Sequence, residues 1–498
     1  MENVLLGLTN VLNLINIVAI FAGTAIGLFV GAMPGLSATM AIALLLPLTF
    51  GLPPATGISM LASLYLAAMY GGSIAAILIR TPGTPAAAAT VLDGYPMAQK
   101  GQAGKALGVS LVASLVGGII SSIALLTVAP ILGKIALQFG PIELFAVAVL
   151  GMTIIGSLSQ GSTTKGLLAG AIGVMIAMVG MDPISGAPRF TFGYLQLFSG
   201  ISFVVALIGL FSIPQAIRLI EKDIKLQKAN KITDKMLPTL KELKTMWVTM
   251  IRSSFIGIFT GLIPGTGGDT ACWFGYNEAK RFSKHKEKFG TGYPEGVAAS
   301  EAANNAVVGG ALIPTLALGI PGSSGTAVLM GGLMVHGIMP GPTLMTEYAD
   351  VTYTLIWAVM LANFAMFGVG LLFTRVSVSV TKVPNKVLAP IIVILSVIGS
   401  FSINNSVFDV GLMFGFGLLG YFMDKIKMPT APMIVGLILG MMLDNSFNQS
   451  MMMSQDDYLV FFKNPIAATL LAIAGLSILQ STPLFGFLRS KLIRGKNP

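Results

Sequence analysis

The chain has 498 residues, of which 54% are hydrophobic and 10% are charged, and its formal net charge is +10. Soluble domains carry roughly a quarter charged residues, so this composition excludes an ordinary soluble protein and indicates a protein embedded in a bilayer. A nucleic-acid-binding role is excluded too, because no soluble basic domain is visible; in membrane proteins basic residues gather on cytoplasmic loops.

Apolar stretches of membrane-spanning length recur along the sequence. They predict an all-α, multi-pass membrane protein with about ten to twelve crossings. Cys272 is the only cysteine, and His285 and His336 are the only histidines. This excludes an internal disulfide and argues against a metal cluster, so we expect no cofactor other than a coupling ion.

The first half of the chain is assigned to residues 1–217. Residues 11–53 contain an apolar run interrupted by Pro34-Gly35, which predicts a re-entrant hairpin. Residues 57–95 form a second apolar run, which is broken at Pro82-Gly83. Proline removes a backbone donor and glycine accepts the backbone angles that result, so each pair interrupts a helix. Scaffold helices are expected to follow.

Residues 218–245 are the most basic segment of the chain and predict a cytoplasmic amphipathic linker. The C-terminus is expected on the same side because it carries Arg489, Lys491, Arg494 and Lys496.

The second half, residues 246–498, repeats the first. GLFVGAMPG at 27–35 and GIFTGLIPG at 257–265 align without a gap. A second hairpin is predicted near 246–280, with its break at Pro264-Gly265, and a second broken helix near 297–340, with its break at Pro321-Gly322. Scaffold helices follow again.

The charges around the two hairpins differ. Basic residues flank the second hairpin on both sides, whereas the first hairpin has none nearby. The two hairpins are therefore predicted to enter from opposite faces of the membrane, which makes the halves inverted repeats, a common plan in secondary transporters.

The four breaks are the candidate site. Freed carbonyls can coordinate a cation, and bare N–H groups at the start of the next helix can bind an anion. Nearby hydroxyls can serve either ligand, or can simply satisfy the broken helix ends. The predicted substrate ligands are Gly35, Ser37, Arg80, Thr81, Gly83, Thr84, Gly265, Thr266, Gly322, Ser323 and Ser324. The predicted ion ligands are Pro34, Thr39, Pro264, Gly267, Asp269, Thr270, Glu301, Asn304, Asn305 and Thr326.

Charged positions in this set have alternative roles. Arg80 can bind a carboxylate or extend to the cytoplasm. Asp269 can ligate a cation, carry a proton or cap the following helix. Glu301, Asn304 and Asn305 share one helical face, and an ion or substrate role competes with a purely structural one.

Enzymatic function is not expected. The sequence has no phosphate-binding Walker loop, and no nucleophile–base pair or catalytic metal group is visible. No catalytic residue is therefore assigned.

Four segments carry a family resemblance, and these are GLFVGAMPGLSATM, YGGSIAAILIRTPGTPAAAAT, GLIPGTGGDTACWFGYNEAKRF and ALGIPGSSGTAVLMGG. They resemble the large membrane subunit of bacterial tripartite tricarboxylate transporters, the TctA-like family. The resemblance implies a secondary transporter of the bacterial inner membrane that takes up citrate or another carboxylate by Na⁺ or H⁺ symport. It also implies two partners, a periplasmic solute-binding protein and a small membrane subunit. An anion channel, or a carrier of another organic anion without those partners, is the alternative.

Overall fold

The computed structural model describes residues 2–158, 162–182, 184–221, 232, 234–380 and 384–480. The predicted linker residues 222–231 and the C-terminal residues 481–498 lie outside the described part. The helices of the first half are α1 (Glu2–Val11), α2 (Leu14–Gly31), α3 (Ala38–Leu45), α4 (Pro54–Ile79), α5 (Val91–Gln99), α6 (Ala103–Ala136), α7 (Pro141–Leu158), α8 (Thr163–Ala177) and α9 (Phe203–Glu221). Two short antiparallel strands, β1 (Gly180–Met181) and β2 (Pro188–Arg189), lie between α8 and α9.

The second half is also helical. Its helices are α10 (Leu240–Leu262), α11 (Gly267–Phe282), α12 (Pro294–Leu318), α13 (Ser324–Val335), α14 (Ala349–Val380), α15 (Asn385–Asn404), α16 (Val407–Lys425), α17 (Ala431–Ser454), α18 (Val460–Lys463) and α19 (Pro465–Gln480). In the described residues, 7 helices are long and apolar enough to cross a membrane, and shorter apolar helices accompany them. The all-α, multi-pass class is thus confirmed, while the number of crossings and the inversion of the halves stay predictions.

The described chain divides into two compact units. The first unit comprises residues 1–134 and 207–418, and it contains all four predicted breaks. The second comprises residues 135–206 and 419–498. In the second unit, Arg189 forms ion pairs with Asp182 at 3.2 Å and with Asp444 at 2.6 Å. Each half of the sequence contributes to both units.

Each predicted interruption is present, and the backbone at matched interruptions is alike. At the first break of each half the glycine has positive φ, +86° at Gly35 and +80° at Gly265. At the second break the helix ends in a left-handed residue, Arg80 with φ 58° and Gly319 with φ 71°. Glycine adopts this conformation without steric cost, and arginine does not.

Close glycine packing holds the broken segments together in both halves. A Cβ on Gly83 would collide with the carbonyl oxygen of Gly31, and one on Gly322 would collide with that of Gly261. Gly31 and Gly261 are matched positions of the duplicated motif. Small residues let membrane helices approach this closely, so the same local fold is built twice.

The described end of the linker is tied to α6. Asp234 accepts hydrogen bonds from the N–H groups of Gly104 and Lys105, both at 2.8 Å. Lys105 also pairs with Glu242, and this hydrogen bond, with one from the Thr239 N–H, lowers the pKa of Glu242 to about 2. The contacts fix the entry of the chain into the second half.

Replacing Gly83 or Gly322 with alanine should destabilise the protein by about 1–3 kcal/mol, because the added methyl group meets backbone that cannot move aside alone. Thermal unfolding of the purified protein measures the effect. Gly411→Ala is the matched control, since a Cβ there meets nothing within 4 Å. Equal unfolding midpoints for all three variants would contradict this packing argument.

Candidate functional site

The four helix breaks meet at one cavity in the first unit. Its volume is about 150 Å³, and every break contributes to its wall. The lining residues are Ser37, Ala38, Thr39, Tyr65, Met69, Thr84, Pro85, Ala86, Phe211, Gly267, Gly268, Asp269, Ser323, Ser324 and Gly325. Segments far apart in the sequence are therefore brought together around one polar space.

Three helices begin at the cavity. Ser37 caps α3 by accepting the Met40 N–H at 3.1 Å, and Ser323 caps α13 by accepting the Thr326 N–H at 3.2 Å. Helix α11 starts at Gly267 without a side-chain cap. Free N–H groups and the positive end of a helix dipole attract an anion, so the uncapped start of α11 offers backbone donors to the cavity, although Asp269 in its first turn opposes an anion there.

Hydroxyl groups join the two halves across the cavity. Thr39 Oγ1 and Ser324 Oγ are 3.0 Å apart, and Tyr65 Oη lies 3.0 Å from Ser323 Oγ. Within the second half, the N–H of Gly265 donates to the carbonyl of Gly322 at 3.1 Å, which joins the two breaks of that half. The breaks thus satisfy part of one another's hydrogen-bonding capacity, and the cavity lies between them.

Asp269 is the one charged side chain among the described residues that line the cavity. It is exposed. Within the described chain it forms no ion pair, and no other residue donates a hydrogen bond to its carboxylate. The capping alternative for Asp269 therefore has no hydrogen bond to support it. Because no described lysine, arginine or histidine lines the wall, an anion in this cavity would depend on N–H and hydroxyl donors.

A second polar group lies behind the wall. Glu301 is fully buried and accepts hydrogen bonds from Thr90 Oγ1 and, at 3.4 Å, from Ser114 Oγ. Asn305 donates to Ser114 Oγ at 2.7 Å, and Asn304 donates to the Met69 carbonyl at 3.3 Å. Within the described residues Glu301 has no cationic partner, so this carboxyl group is held by neutral donors alone.

The predicted ligands separate into two groups. Those that line the cavity are Ser37, Thr39, Thr84, Gly267, Asp269, Ser323 and Ser324. Those that lie elsewhere in the breaks or behind the wall are Pro34, Gly35, Arg80, Thr81, Gly83, Pro264, Gly265, Thr266, Thr270, Glu301, Asn304, Asn305, Gly322 and Thr326.

Several of the second group have other partners. Arg80 is exposed, and its guanidinium lies 5.7 Å from the centre of the Tyr95 ring. Thr266 Oγ1 donates to the Ile263 carbonyl at 2.9 Å, at the end of α10. Gly35 accepts a hydrogen bond from Gln215 through its carbonyl. These residues shape the breaks and do not face the cavity.

Three further residues that line the cavity, Tyr65, Met69 and Phe211, are not among the ligands that the sequence predicted. Tyr65 and Met69 are four residues apart and therefore share one face of α4, a helix that ends at a break. A tyrosine within a run of small apolar residues is a signal in the sequence that could have marked this face as part of the site. Gly325 leaves the space that the Tyr65 ring occupies, because a Cβ there would lie 2.5 Å from the ring's Cζ. Phe211 lies on α9, far from any break in the sequence, and no local pattern marks it.

Asp93 connects the two halves beside this site. Its Oδ1 accepts the N–H groups of Gly290, Gly292 and Tyr293 at 2.9, 2.8 and 2.7 Å, and its Oδ2 accepts the Tyr276 hydroxyl at 2.8 Å. The carboxylate is fully buried. These hydrogen bonds hold the loop after α11 against α5, and they thereby help to position α11 itself.

Interrupted helices around a polar cavity, in an all-helical membrane protein, are the architecture of a membrane transporter component. The chain belongs to the tripartite tricarboxylate transporter TctA family, whose model matches residues 17–435. The family consists of transporter components and is not a family of enzymes.

Two similar proteins come from Agrobacterium vitis. One, described as an uncharacterized 52.8 kDa protein in the TAR-I ttuC' 3' region, is 36% identical over 472 residues, which are 95% of this chain and 94% of that protein. The other, an uncharacterized protein in the TAR-II ttuC' 3' region, is 35% identical over 235 residues, 47% of this chain and 96% of that protein. No solved structure matches the chain.

Asp93→Ala should be destabilising, because it removes the acceptor of the buried Tyr276 hydroxyl and of three part-buried backbone N–H groups, and an unsatisfied buried donor alone costs roughly 1–3 kcal/mol. Tyr276→Phe removes a single donor of the same group and should cost far less. Thermal unfolding of both variants tests the order. A Tyr276→Phe variant as unstable as Asp93→Ala would show that the backbone N–H groups do not depend on Asp93.

Proposed function

We propose that the protein is a secondary active transporter that imports a di- or tricarboxylate anion together with Na⁺ or H⁺. In this proposal it is the large membrane subunit of a tripartite system in the bacterial inner membrane. The observation that carries the proposal is the single cavity on which all four helix breaks converge. Membership of the TctA family supports the tripartite assignment.

The substrate carboxylates would lie among the helix starts. The uncapped N–H groups of α11 and the hydroxyls of Tyr65, Ser323 and Ser324 offer several donors to carboxylate oxygens. Asp269 brings a negative charge to the same space. A bound cation beside Asp269 would offset that charge, and this requirement couples anion uptake to the cation gradient.

The partners and the motion follow from the same proposal. A periplasmic solute-binding protein would deliver the anion, and the small membrane subunit would complete the complex. The linker, residues 218–245, and the C-terminus would face the cytoplasm. If the halves are inverted, movement of the cavity relative to scaffold helices would open it to each side in turn, and we favour an elevator-type motion by analogy with other hairpin carriers.

A carrier is preferred over an anion channel because the cavity is small and is bounded by segments that hydrogen-bond to one another. A channel needs a continuous pore and does not accumulate its ion against a gradient. Accumulation therefore separates the two functions directly. An organic-anion carrier without partners would still accumulate its substrate but would not depend on a binding protein.

Proteoliposomes that contain the protein with its two partners should accumulate a carboxylate from a panel including citrate, under an imposed Na⁺ or pH gradient. Uptake that only equilibrates the anion, or that proceeds equally without the binding protein, would contradict the proposal. The first result would favour a channel, and the second a carrier that works alone.

Within this assay, Tyr65→Phe and Ser324→Ala should each raise KM about threefold to tenfold, since each removes one hydrogen bond worth about 0.5–1.5 kcal/mol. Arg80→Ala should leave KM unchanged, because Arg80 lies away from the cavity. A large effect of Arg80→Ala together with no effect of Tyr65→Phe would instead assign the anion to Arg80 and exclude the cavity.

A further inference from the structure

The hairpin formed by α10 and α11 packs against α12 on one side and exposes apolar side chains on another. On α10 the exposed stripe contains Val248, Phe255 and Phe259, and on α11 it contains Trp273 and Phe274. Large apolar side chains on the outer face of a membrane protein are solvated by lipid chains. This stripe is therefore a surface along which acyl chains lie.

One charged residue, Arg252, interrupts the stripe. It is partly buried, and it lies four residues after Val248 and three before Phe255, which places it on the same helical face. A cation among lipid-facing residues is costly unless its side chain extends to the headgroups. Side chains on a helix tilt toward its N-terminus, so Arg252 extends away from the hairpin tip and toward the basic end of α10.

A second arginine meets Arg252 at one aromatic ring. The guanidinium carbon of Arg252 lies 4.5 Å from the centre of the Phe282 ring, and that of Arg281 lies 5.6 Å from the same centre. Arg281 also pairs with Glu278, but at 3.8 Å, which is too long for a hydrogen bond. Two guanidinium groups held at one ring present forked N–H donors that suit the oxygens of a phosphate group.

The depth of this pair in the membrane matches a phospholipid. The helix from Arg252 to Leu262 rises about 15 Å, which is half of the roughly 30 Å hydrocarbon core. With the hairpin tip at the middle of the bilayer, the arginines lie at the level of the headgroups. The next segment, residues 280–288, has five basic residues and one acidic residue, so the local charge favours an anionic headgroup.

The first hairpin has the apolar face without the arginine. The gapless alignment of the duplicated motif matches Phe29 with Phe259, and both are exposed. The same alignment places Ala22 at the position of Arg252. Building such a hairpin therefore does not require the arginine, and its presence in the second copy needs a separate explanation.

We propose that the base of the α10–α11 hairpin binds an anionic diacyl phospholipid of the phosphatidylglycerol type. Its phosphate lies between the guanidinium groups of Arg252 and Arg281, and its acyl chains extend along Phe255, Phe259 and Phe274. A lipid is favoured over a protein partner because the charged groups and the apolar stripe have the order and the length of one leaflet. The site goes beyond the proposed transport function and does not depend on it.

Tryptophan fluorescence can report on this surface directly. Trp247 and Trp273 lie on the hairpin and are exposed, and Trp357 is the one other tryptophan of the chain. The Trp357→Phe protein is reconstituted into phosphatidylcholine bilayers at high NaCl concentration, which screens diffuse attraction by the basic loop. Brominated phosphatidylglycerol or brominated phosphatidylcholine is then added in steps, since bromine on the acyl chains quenches nearby tryptophans.

Brominated phosphatidylglycerol should quench more strongly than brominated phosphatidylcholine. Arg252→Ala and Arg281→Ala should each reduce this preference about fivefold, since a basic residue near the membrane surface contributes about that factor to binding an anionic lipid. Replacing both arginines with lysine keeps the charge but loses the forked donors, so this variant should retain part of the preference. Unchanged quenching by phosphatidylcholine shows that a variant is folded and inserted.

The matched control is the double variant Lys284→Ala, Lys286→Ala. It removes the same charge from the same end of the hairpin, and among the described contacts neither lysine lies over the Phe282 ring. It should keep the preference. An equal loss in this variant and in the Arg252→Ala, Arg281→Ala variant would overturn the site in favour of a diffuse basic surface.

Three further results would also overturn the proposal. Equal quenching by the two lipids in the starting protein would show that no anionic lipid is preferred. Loss of the preference on addition of inorganic phosphate would assign the arginines to a soluble anion. Equal protection from both lipids by the small membrane subunit would show that a protein covers this face. The assay contains no carboxylate, so failure of the transport proposal would leave its result unaffected.

Discussion

The structure depends on the cost of an unpaired backbone group in an apolar environment. A helix that ends among other helices leaves N–H and C=O groups that lipid cannot satisfy, and an isolated break would be strongly unfavourable. In this chain the breaks satisfy one another. Gly265 donates to Gly322, and two hydroxyls of the first half, those of Thr39 and Tyr65, lie within hydrogen-bonding distance of Ser324 and Ser323 in the second. The polar cavity is a direct result of collecting the breaks in one place.

Collecting them requires small residues at fixed positions. Gly31 and Gly83, and in the other half Gly261 and Gly322, bring backbone against backbone at distances that any side chain would prevent. The halves differ where the second break begins, because Arg80 occupies a left-handed position that is filled by Gly319 in the other half. The two halves thus have the same residue where backbone packs against backbone, and different residues where a side chain can extend outward. Arg80 uses that freedom to lie over Tyr95.

The sequence was sufficient to predict the membrane class, the duplicated motif and the location of every break, since Pro-Gly pairs and hydroxyls are local signals. It also supplied cavity residues that lie within a few positions after a break, such as Ser323 and Asp269. It did not separate these from Thr81 or Thr266, whose hydroxyls bond to nearby carbonyls. Residues brought in by long-range packing, such as Tyr65 and Phe211, have no local signature. The same is true of the division that groups residues 135–206 with 419–498.

The charge of the cavity distinguishes it from a site that binds an anion through lysine or arginine side chains. Arginine or lysine in the wall would bind a carboxylate tightly and would also hold it after the cavity opened to the other side. Here the described lining offers hydroxyls, helix starts and a negative Asp269. Under the proposed function, affinity then depends on a cation that can leave. In that proposal, dissociation of the cation into a compartment where it is scarce would leave Asp269 to repel the anion, and the substrate would be released on that side.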